Sequence, residues 1–346
     1  MDDLDPQLLR VLRAVRDAGS ISRAANVLGY SQPAVSQLLA RAERRLGHEL
    51  VLRGGTGGSA GPGGSAGPGG SAGTGVGGRG GPAGRGGRGA TLTEAGAVLA
   101  GHAQAVESAL AAAREDLDAV GGLARGRVRF AGFPSASSTL VPAVLATLAA
   151  DHPGVVTSYV EAEPPEAVEL VRRGEVDVAL VFSHAFVEPA DDTTTDPMLR
   201  TRALGRDPLA LVTPGPGGGD GTLPVDWSGG SVADLADHRE ARWIGGCPRC
   251  RGHLLASCAA SGFTPEIVLE TDNAAAVVGL VAAGLGVALL PRLALVSTVI
   301  PAGVAVTPAE DDLARRVEVV VARGADRVPS VRAALDAVRG AAHLLD

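Results

Sequence analysis

No lysine occurs anywhere in these 346 residues; all 31 basic side chains are arginine. That absence excludes function classes outright, because a phosphate-cradling P-loop needs its lysine and Schiff-base chemistry needs a lysine amine. Aromatic residues make up only 3% of the chain, so any core must be assembled from Ala, Val and Leu. Three cysteines in a chain this long are too few for a disulfide framework and fit a reducing compartment. The opening MDDLDPQ is acidic and lacks an apolar stretch, so no signal peptide is read and a cytoplasmic location is expected. Long hydrophobic runs are missing as well, apart from Asn273 to Pro291, which approaches the length of a membrane span. Gly284 and Gly286 interrupt that run and Pro291-Arg292 close it, so a buried helix, a glycine turn and a buried strand are expected, with no membrane contact. Catalytic constellations are lacking too. The seven histidines are scattered without HExxH spacing, there is no GxSxG, and Gly284-Leu285-Gly286 lacks the third glycine of a dinucleotide fingerprint. No enzyme, cofactor or metal site is expected.

What is present is unevenly distributed. Residues 1–90 carry 11 Arg against 6 acidic residues, whereas residues 91–346 carry 20 against 32. A basic N-terminal module on an acidic body suits local nucleic-acid binding rather than adhesion by the whole surface. Within that module, Ile21 to Leu46 reads as two short helices around a tight turn. Ile21, Ala24, Ala25 and Leu28 recur at helical spacing, Gly29 is a helix stop, Ser31 an N-cap, and Pro33 is tolerated in the first turn that follows. Val35, Leu38, Ala42 and Leu46 are the expected buried stripe of the second helix. Its other face carries Gln32, Ser36, Gln37, Arg41 and Arg44 with nothing apolar to cover it. Glutamine can read adenine edges in a major groove, serine either pair type, and arginine phosphate or guanine. The pattern is that of a helix-turn-helix, with an ordinary helical hairpin as the plainer alternative.

A first helix from Pro6, with Leu8, Val11, Leu12 and Val15 on one face, completes a three-helix core. Leu50-Val51-Leu52 and Ala90-Thr91-Leu92 read as paired strands, with Arg53 at the turn end. Between them Gly54 to Gly89 is a low-complexity tract repeating GGSAGP, expected to be a disordered insertion at a hairpin tip. Thr93 then caps a long helix in which Leu99, Ala103, Val106, Leu110, Ala113, Leu117 and Val120 alternate spacings of four and three. That seam is the mark of a two-helix coiled coil, hence of a homodimer, although a helix packed within its own chain would also use it. Gly121-Gly122 and Gly126 read as a hinge. From Arg127 strands alternate with helices, implying a mostly parallel sheet with ligands at the strand ends.

Several loops in this second half are candidate ligand contacts. Ser135, Ser137 and Ser138 lie between a strand and a helix, where hydroxyls and free N–H groups favour an anion, unless Ser138 is only a cap. Phe182-Ser183 ends another strand and Thr271-Asp272 precedes another helix, so both can face the same cleft; His184 reads as a surface loop histidine. Cys247-Pro248-Arg249-Cys250 follows a strand and opens a helix. That setting lowers a thiol pKa, which makes Cys247 and Cys250 a candidate redox pair. A zinc site with His253 and a plain helix start are the other readings.

With those residues placed, the chain resembles the LysR-type transcriptional regulators. The match is specific in LLRVLRAVRDAGSISRAANVLGYSQPAVSQLLARAERRLGHELVLR and ATLTEAGAVLAGHA, and weaker in GEVDVAL and TDNAAAVVGLVAAGLGVALLP. The resemblance implies an α+β multidomain chain. Residues 1–92 would be a winged helix-turn-helix with the Gly-rich insertion 54–89 in its wing, residues 93–121 a dimerisation helix, and residues 127–346 a two-subdomain effector domain like a periplasmic binding protein. Carried over by position, Ser31, Gln32, Pro33, Ser36 and Gln37 fall where the family reads bases, and Arg41 and Arg53 where it grips backbone; Ser20 and Arg23 join the candidate DNA contacts. The implied partners are double-stranded DNA, a small-molecule effector of anionic character and further copies of the chain, as homodimer or homotetramer. The long insertion departs from the family and puts the wing's own DNA contacts in doubt. A cytosolic ligand- or redox-sensing module that never touches DNA is the competing reading.

Overall fold

The computed structural model describes residues 4–53, 89–120, 125–184, 196–215, 227 and 232–345. The Gly-rich tract with its arginines 79, 85 and 88, and the Gly121-Gly122 pair, lie outside these residues. The chain divides into two compact units, Met1–Ala103 and Gln104–Asp346.

In the first unit α1 spans Pro6–Ala18, α2 Ile21–Leu28 and α3 Gln32–Leu46. Asp5 caps α1 by accepting from the Gln7 N–H at 2.8 Å, and Gly29 ends α2 at φ +71, a left-handed conformation that costs other residues a steric penalty. Leu8, Val11, Leu12, Val15, Ile21, Ala24, Ala25, Val35, Leu39 and Ala42 close one apolar core. Leu39, rather than the expected Leu38, is the fully buried leucine of α3; Leu38 and Leu46 are half-buried at its margin. At about 100° per residue Leu39 projects about 40° from Val35 and Leu38 about 60° to the other side, so the stripe centres nearer Leu39. β1 (Val51–Arg53) pairs antiparallel with β2 (Ala90–Leu92), as expected. Thr93 caps α4 (Glu94–Val120), its hydroxyl accepting from the Gly96 N–H at 3.1 Å.

The second unit runs β3 (Gly126–Gly132), α5 (Pro134–Ser137), α6 (Leu140–Asp151), β4 (Val155–Glu161), α7 (Pro164–Arg172), β5 (Val178–Ser183), β6 (Leu199–Asp207) and β7 (Leu209–Pro214). It continues with β8 (Arg242–Gly245), α8 (Pro248–Ala260), β9 (Glu266–Glu270), α9 (Ala274–Ala282), β10 (Ala288–Pro291), α10 (Arg292–Val296), β11 (Val304–Pro308), β12 (Arg315–Ala322) and α11 (Pro329–Gly340). A five-stranded sheet ordered β4-β3-β5-β12-β6 organises one lobe; a three-stranded β10-β7-β11 sheet and a β8-β9 pair organise the other. Among the described strands β3–β4, β3–β5 and β8–β9 form the parallel ladders. The expected mostly parallel sheet is corrected to a mixed one, for a topological reason. The chain leaves the first lobe after β6 and returns as β12, which enters the sheet from the opposite end and pairs antiparallel with both β5 and β6. Gly126 is no hinge, since it opens β3 and its N–H donates to Gly154 O. The run from Asn273 to Pro291 is α9, a turn at Gly284 (φ +72) and β10, and among the described residues no helix is long and apolar enough to cross a membrane.

On α4 the buried positions among the described residues are Gly96, Ala100, Ala103, Ser108 and Ala112, while Leu110 and Leu117 remain 39% and 70% exposed and Ala113 is exposed. The seam read from the sequence is thus divided: Ala103 is buried and Leu99 and Val106 half-buried, whereas Leu110, Ala113 and Leu117 lie outside the packing of the described residues.

Candidate functional site

The first unit presents the polar face of α3. Ser31 accepts from the Ala34 N–H and so starts the helix, which turns Gln32, Pro33, Gln37 and Arg41 outward, with Ser36 half-buried. Gln32 donates from Nε2 to Ser36 Oγ at 2.9 Å, bracing one amide against the next turn. Arg23 is exposed on α2. Ser20 is not part of this face. It is 3% exposed at the N-cap of α2, where its carbonyl accepts from the Ala24 N–H, so its side chain is corrected from a DNA contact to a buried helix start. Arg53 ends β1.

The second unit holds a cavity of about 70 Å³ between its lobes. Phe133, Ser135, Glu163, Phe182 and Arg315 line it from one side, and Gly246, Cys247, Cys250, Thr271, Asp272 and Ala294 from the other. Four helices begin at this cavity. Phe133 is the N-cap of α5, Glu163 of α7, Cys247 of α8, and Asn273, next to Asp272, of α9. Helix N-termini supply positive potential and unsatisfied N–H groups.

The charged side chain at the centre is Arg315. Its Nε donates to Asp207 Oδ2 at 2.7 Å, its Nη2 donates to Ser135 Oγ, and its guanidinium carbon lies 4.8 Å and 4.5 Å from the Phe133 and Phe182 ring centroids. Arg315 and Asp207 are 3% and 1% exposed and face each other where β12 begins and β6 ends. One buried pair thus pins both points at which the chain changes lobe. Removing one partner of such a pair strands a buried charge, at about 3–5 kcal/mol. Asp207 Oδ1 also accepts from the Leu293 N–H at 3.0 Å, tying the first turn of α10 to the same point.

Glu163 makes no side-chain capping bond, and among the described residues its buried Oε2 has no hydrogen-bond partner. Burial pushes its pKa up to about 7, reinforced by the charge and hydrogen bond of neighbouring Cys247. Cys247 is pulled down to about 6, chiefly by its hydrogen bond with Cys250, against the opposing effect of burial. Cys250 is raised by that same bond and by burial. The sulfurs are 3.2 Å apart. His253 is not with them. Its Nε2 contacts Leu313 O at 3.0 Å and its ring stacks on His184 at 4.0 Å, so the zinc reading loses its third ligand, and no three metal-capable side chains gather among the described residues. His184 itself is corrected from surface loop to interior: it is 7% exposed beneath Phe182.

Of the ligand contacts expected from sequence, Ser135, Phe182, Thr271 and Asp272 meet at the cavity, and three serines do not. Ser137 bonds Phe133 O and the Tyr159 hydroxyl, Ser138 meets Ser297 Oγ at 2.9 Å, and Ser183 donates to Glu318 at 3.4 Å. Glu163, Asp207 and Arg315 went unrecognised. Arg315 had a signal, because it lies in phase with Val317, Val319 and Val321 on the buried face of its strand. Glu163 directly precedes Pro164-Pro165, a helix start whose cap residue is acidic.

Comparison with known proteins agrees with this arrangement. A family model described as "LysR substrate binding domain" matches residues 121–342, and one described as "Bacterial regulatory helix-turn-helix protein, lysR family" matches residues 6–61. The chain is 29% identical over 331 residues to the "Probable HTH-type transcriptional regulator LrrA" of Synechococcus elongatus, covering 96% of this chain and 95% of that protein. It is 27% identical over 284 residues to the "HTH-type transcriptional regulator ShiR" of Corynebacterium glutamicum, covering 80% and 79%. Among solved structures, a full-length OxyR variant of Pseudomonas aeruginosa superposes with a TM-score of 0.61 at 17% identity, covering 98% of this chain and 96% of that one; at that identity the likeness is one of fold.

Proposed function

The chain belongs to the LysR-type family of bacterial transcriptional regulators, and from that premise we propose which residues perform its two tasks. It is a DNA-binding transcriptional regulator with an effector-binding C-terminal domain, and both matched families describe a regulator rather than an enzyme. In our reading α3 enters the major groove, with Gln32, Ser36 and Gln37 toward base edges and Ser31, Arg23 and Arg41 toward phosphates. Two chains join along the open Leu110–Ala113–Leu117 seam of α4, as homodimers that can pair again into tetramers. A dimer presents two reading helices to a two-fold-related site.

The effector is a small molecule bearing a carboxylate or similar anionic group. The observation that carries this is the convergence of the N-termini of α7, α8 and α9 with Ser135 and Arg315 on one small cavity. Thr271 and Ser135 supply hydroxyl donors from opposite lobes, so a bound anion draws the lobes together. Asp272 and Glu163 limit the charge the site accepts; the carboxyl of Glu163, near neutral pH, can release or hold a proton to suit. Native mass spectrometry of freshly purified protein, followed by thermal shift with a panel of mono- and dicarboxylates, tests the reading. Ligand at 100 times its Kd stabilises by about 2.7 kcal/mol, and Ser135→Ala and Thr271→Val should each blunt the shift. Stabilisation by neutral or cationic compounds alone would contradict it.

A further inference from the structure

The CxxC pair at the head of α8 is not required to hold an anion, yet both sulfurs face the same cavity. We propose that Cys247 and Cys250 form a reversible dithiol–disulfide switch, oxidised by a small hydroperoxide that enters the cleft. The geometry divides the labour. Cys247 is the N-cap of a 13-residue helix and makes no side-chain capping bond, so its sulfur is left to the cavity and to the field of the helix. Cys250 is one turn on along the same face, and the 3.2 Å between sulfurs needs only side-chain rotation to reach bonding distance of about 2.05 Å. Across the lobe boundary stands Glu163, a partly buried carboxyl with one oxygen unpartnered among the described residues. A cavity of about 70 Å³ beside Cys247 and Glu163 gives a small hydroperoxide room to reach both groups.

The chemistry closes on these groups. The Cys247 thiolate attacks the terminal oxygen of the hydroperoxide, ROOH; the O–O bond breaks, and the leaving alkoxide or hydroxide takes the proton of the Glu163 carboxylic acid. The products are Cys247 sulfenic acid, ROH and the Glu163 carboxylate. The Cys250 sulfur then attacks the sulfenic sulfur, and the departing hydroxide leaves as water with the Cys250 thiol proton. Two thiol equivalents have lost two electrons, and one peroxide has been reduced. The Cys247 thiol is pulled down to about 6, toward thiolate at neutral pH, while burial pushes the Glu163 carboxyl up to about 7 so that it keeps its proton longer than an ordinary carboxylate; nucleophile and acid are available together. Cys258, buried and pushed up to about 12, is an internal control that stays a thiol. Oxidation also removes the thiolate that Glu163 faces from the other lobe, so the disulfide loosens one tie between the lobes. That last step rests on the cleft's proposed regulatory role; the thiol chemistry does not.

The test uses reduced, desalted full-length protein exposed to hydrogen peroxide or tert-butyl hydroperoxide, with thiol counting and peptide mapping by mass spectrometry. Two of the three thiols should be lost and recovered with dithiothreitol, and the bond should map to Cys247–Cys250. Cys250→Ser should stop at a sulfenic acid on Cys247, trapped by dimedone. Glu163→Gln should slow the first step at least about tenfold and flatten its pH profile around neutrality. Three thiols surviving, loss falling on Cys258 or on bonds between chains, or Cys247→Ser oxidising at the parent rate would each overturn the switch. Carboxylate binding by reduced Cys247→Ser, measured alongside, keeps the two readings apart: its loss counts against the effector assignment, while the thiol count alone judges this one.

Discussion

His184 shows how much a single side chain's setting decides. Burial, reinforced electrostatically by His253, Arg315 and Arg249, pulls its pKa from 6.5 to about 2, and among the described residues neither ring nitrogen has a hydrogen-bond partner. The ring is therefore held neutral, edge-on to Phe182 and stacked on His253. Above pH 6.5 the folded and unfolded chains both carry it unprotonated, and it adds no pH dependence. Below 6.5 only the unfolded chain takes up the proton, so folding loses up to about 1.4 kcal/mol per pH unit from this group until the folded pKa is reached. Replacing it with phenylalanine keeps the stacked ring and removes the proton site. Urea unfolding of the full chain at about pH 7.5 and about pH 5.5 should show the parent losing more stability than His184→Phe by roughly 1 kcal/mol. Equal losses would mean that the ring is protonated in the folded protein. His184 also marks a limit of the sequence: a histidine directly after a hydrophobic strand reads as loop, because nothing local says that α8 will bring His253 over it.

At the scale of elements, the N-terminal unit was legible because its signals are local. Asp5, Gly29 and Ser31 act on residues within one turn of themselves, and α1 starts at Pro6 with Leu8, Val11, Leu12 and Val15 buried, as its period indicates. Strands β6 and β11 have little apolar contrast and are not legible in the sequence. β6 alternates Arg200 and Arg202 with small residues and is held by its pairing with β12, a contact far off in sequence. The cleft was half legible for the same reason. Ser135, Thr271 and Asp272 sit at strand-to-helix junctions, where a ligand loop is expected, whereas the Asp207–Arg315 pair joins two strands separated by a whole lobe. The seam of α4 is a different case, since period and structure agree that Leu110 and Leu117 are not consumed by the chain itself. Leu110→Glu places a charge in that seam and should convert the oligomer to monomers in sedimentation velocity, with unchanged far-ultraviolet dichroism because the position is exposed in the single chain. An intact oligomer would assign assembly to another surface.

For the molecule as a whole, a basic reading head and an acidic two-lobed body divide binding from sensing. In the proposed reading a ligand, or the oxidation state of two sulfurs, acts on both lobes at once from the cavity at their boundary; the Asp207–Arg315 pair holds the two points at which the chain crosses between lobes. None of this matters to a promoter unless α3 reads sequence, so selection from a random duplex pool by the full-length protein, followed by salt titration of the variants, is the direct test. The parent should enrich a site with two related half-sites. Gln32→Ala should relax preference at one position of each half-site at a cost of about 1–3 kcal/mol. Arg41→Ala should weaken binding to every sequence and lower the salt slope by about one. Failure to enrich any sequence, or both variants matching the parent in preference and salt slope, would contradict the assignment of α3 as the reading helix.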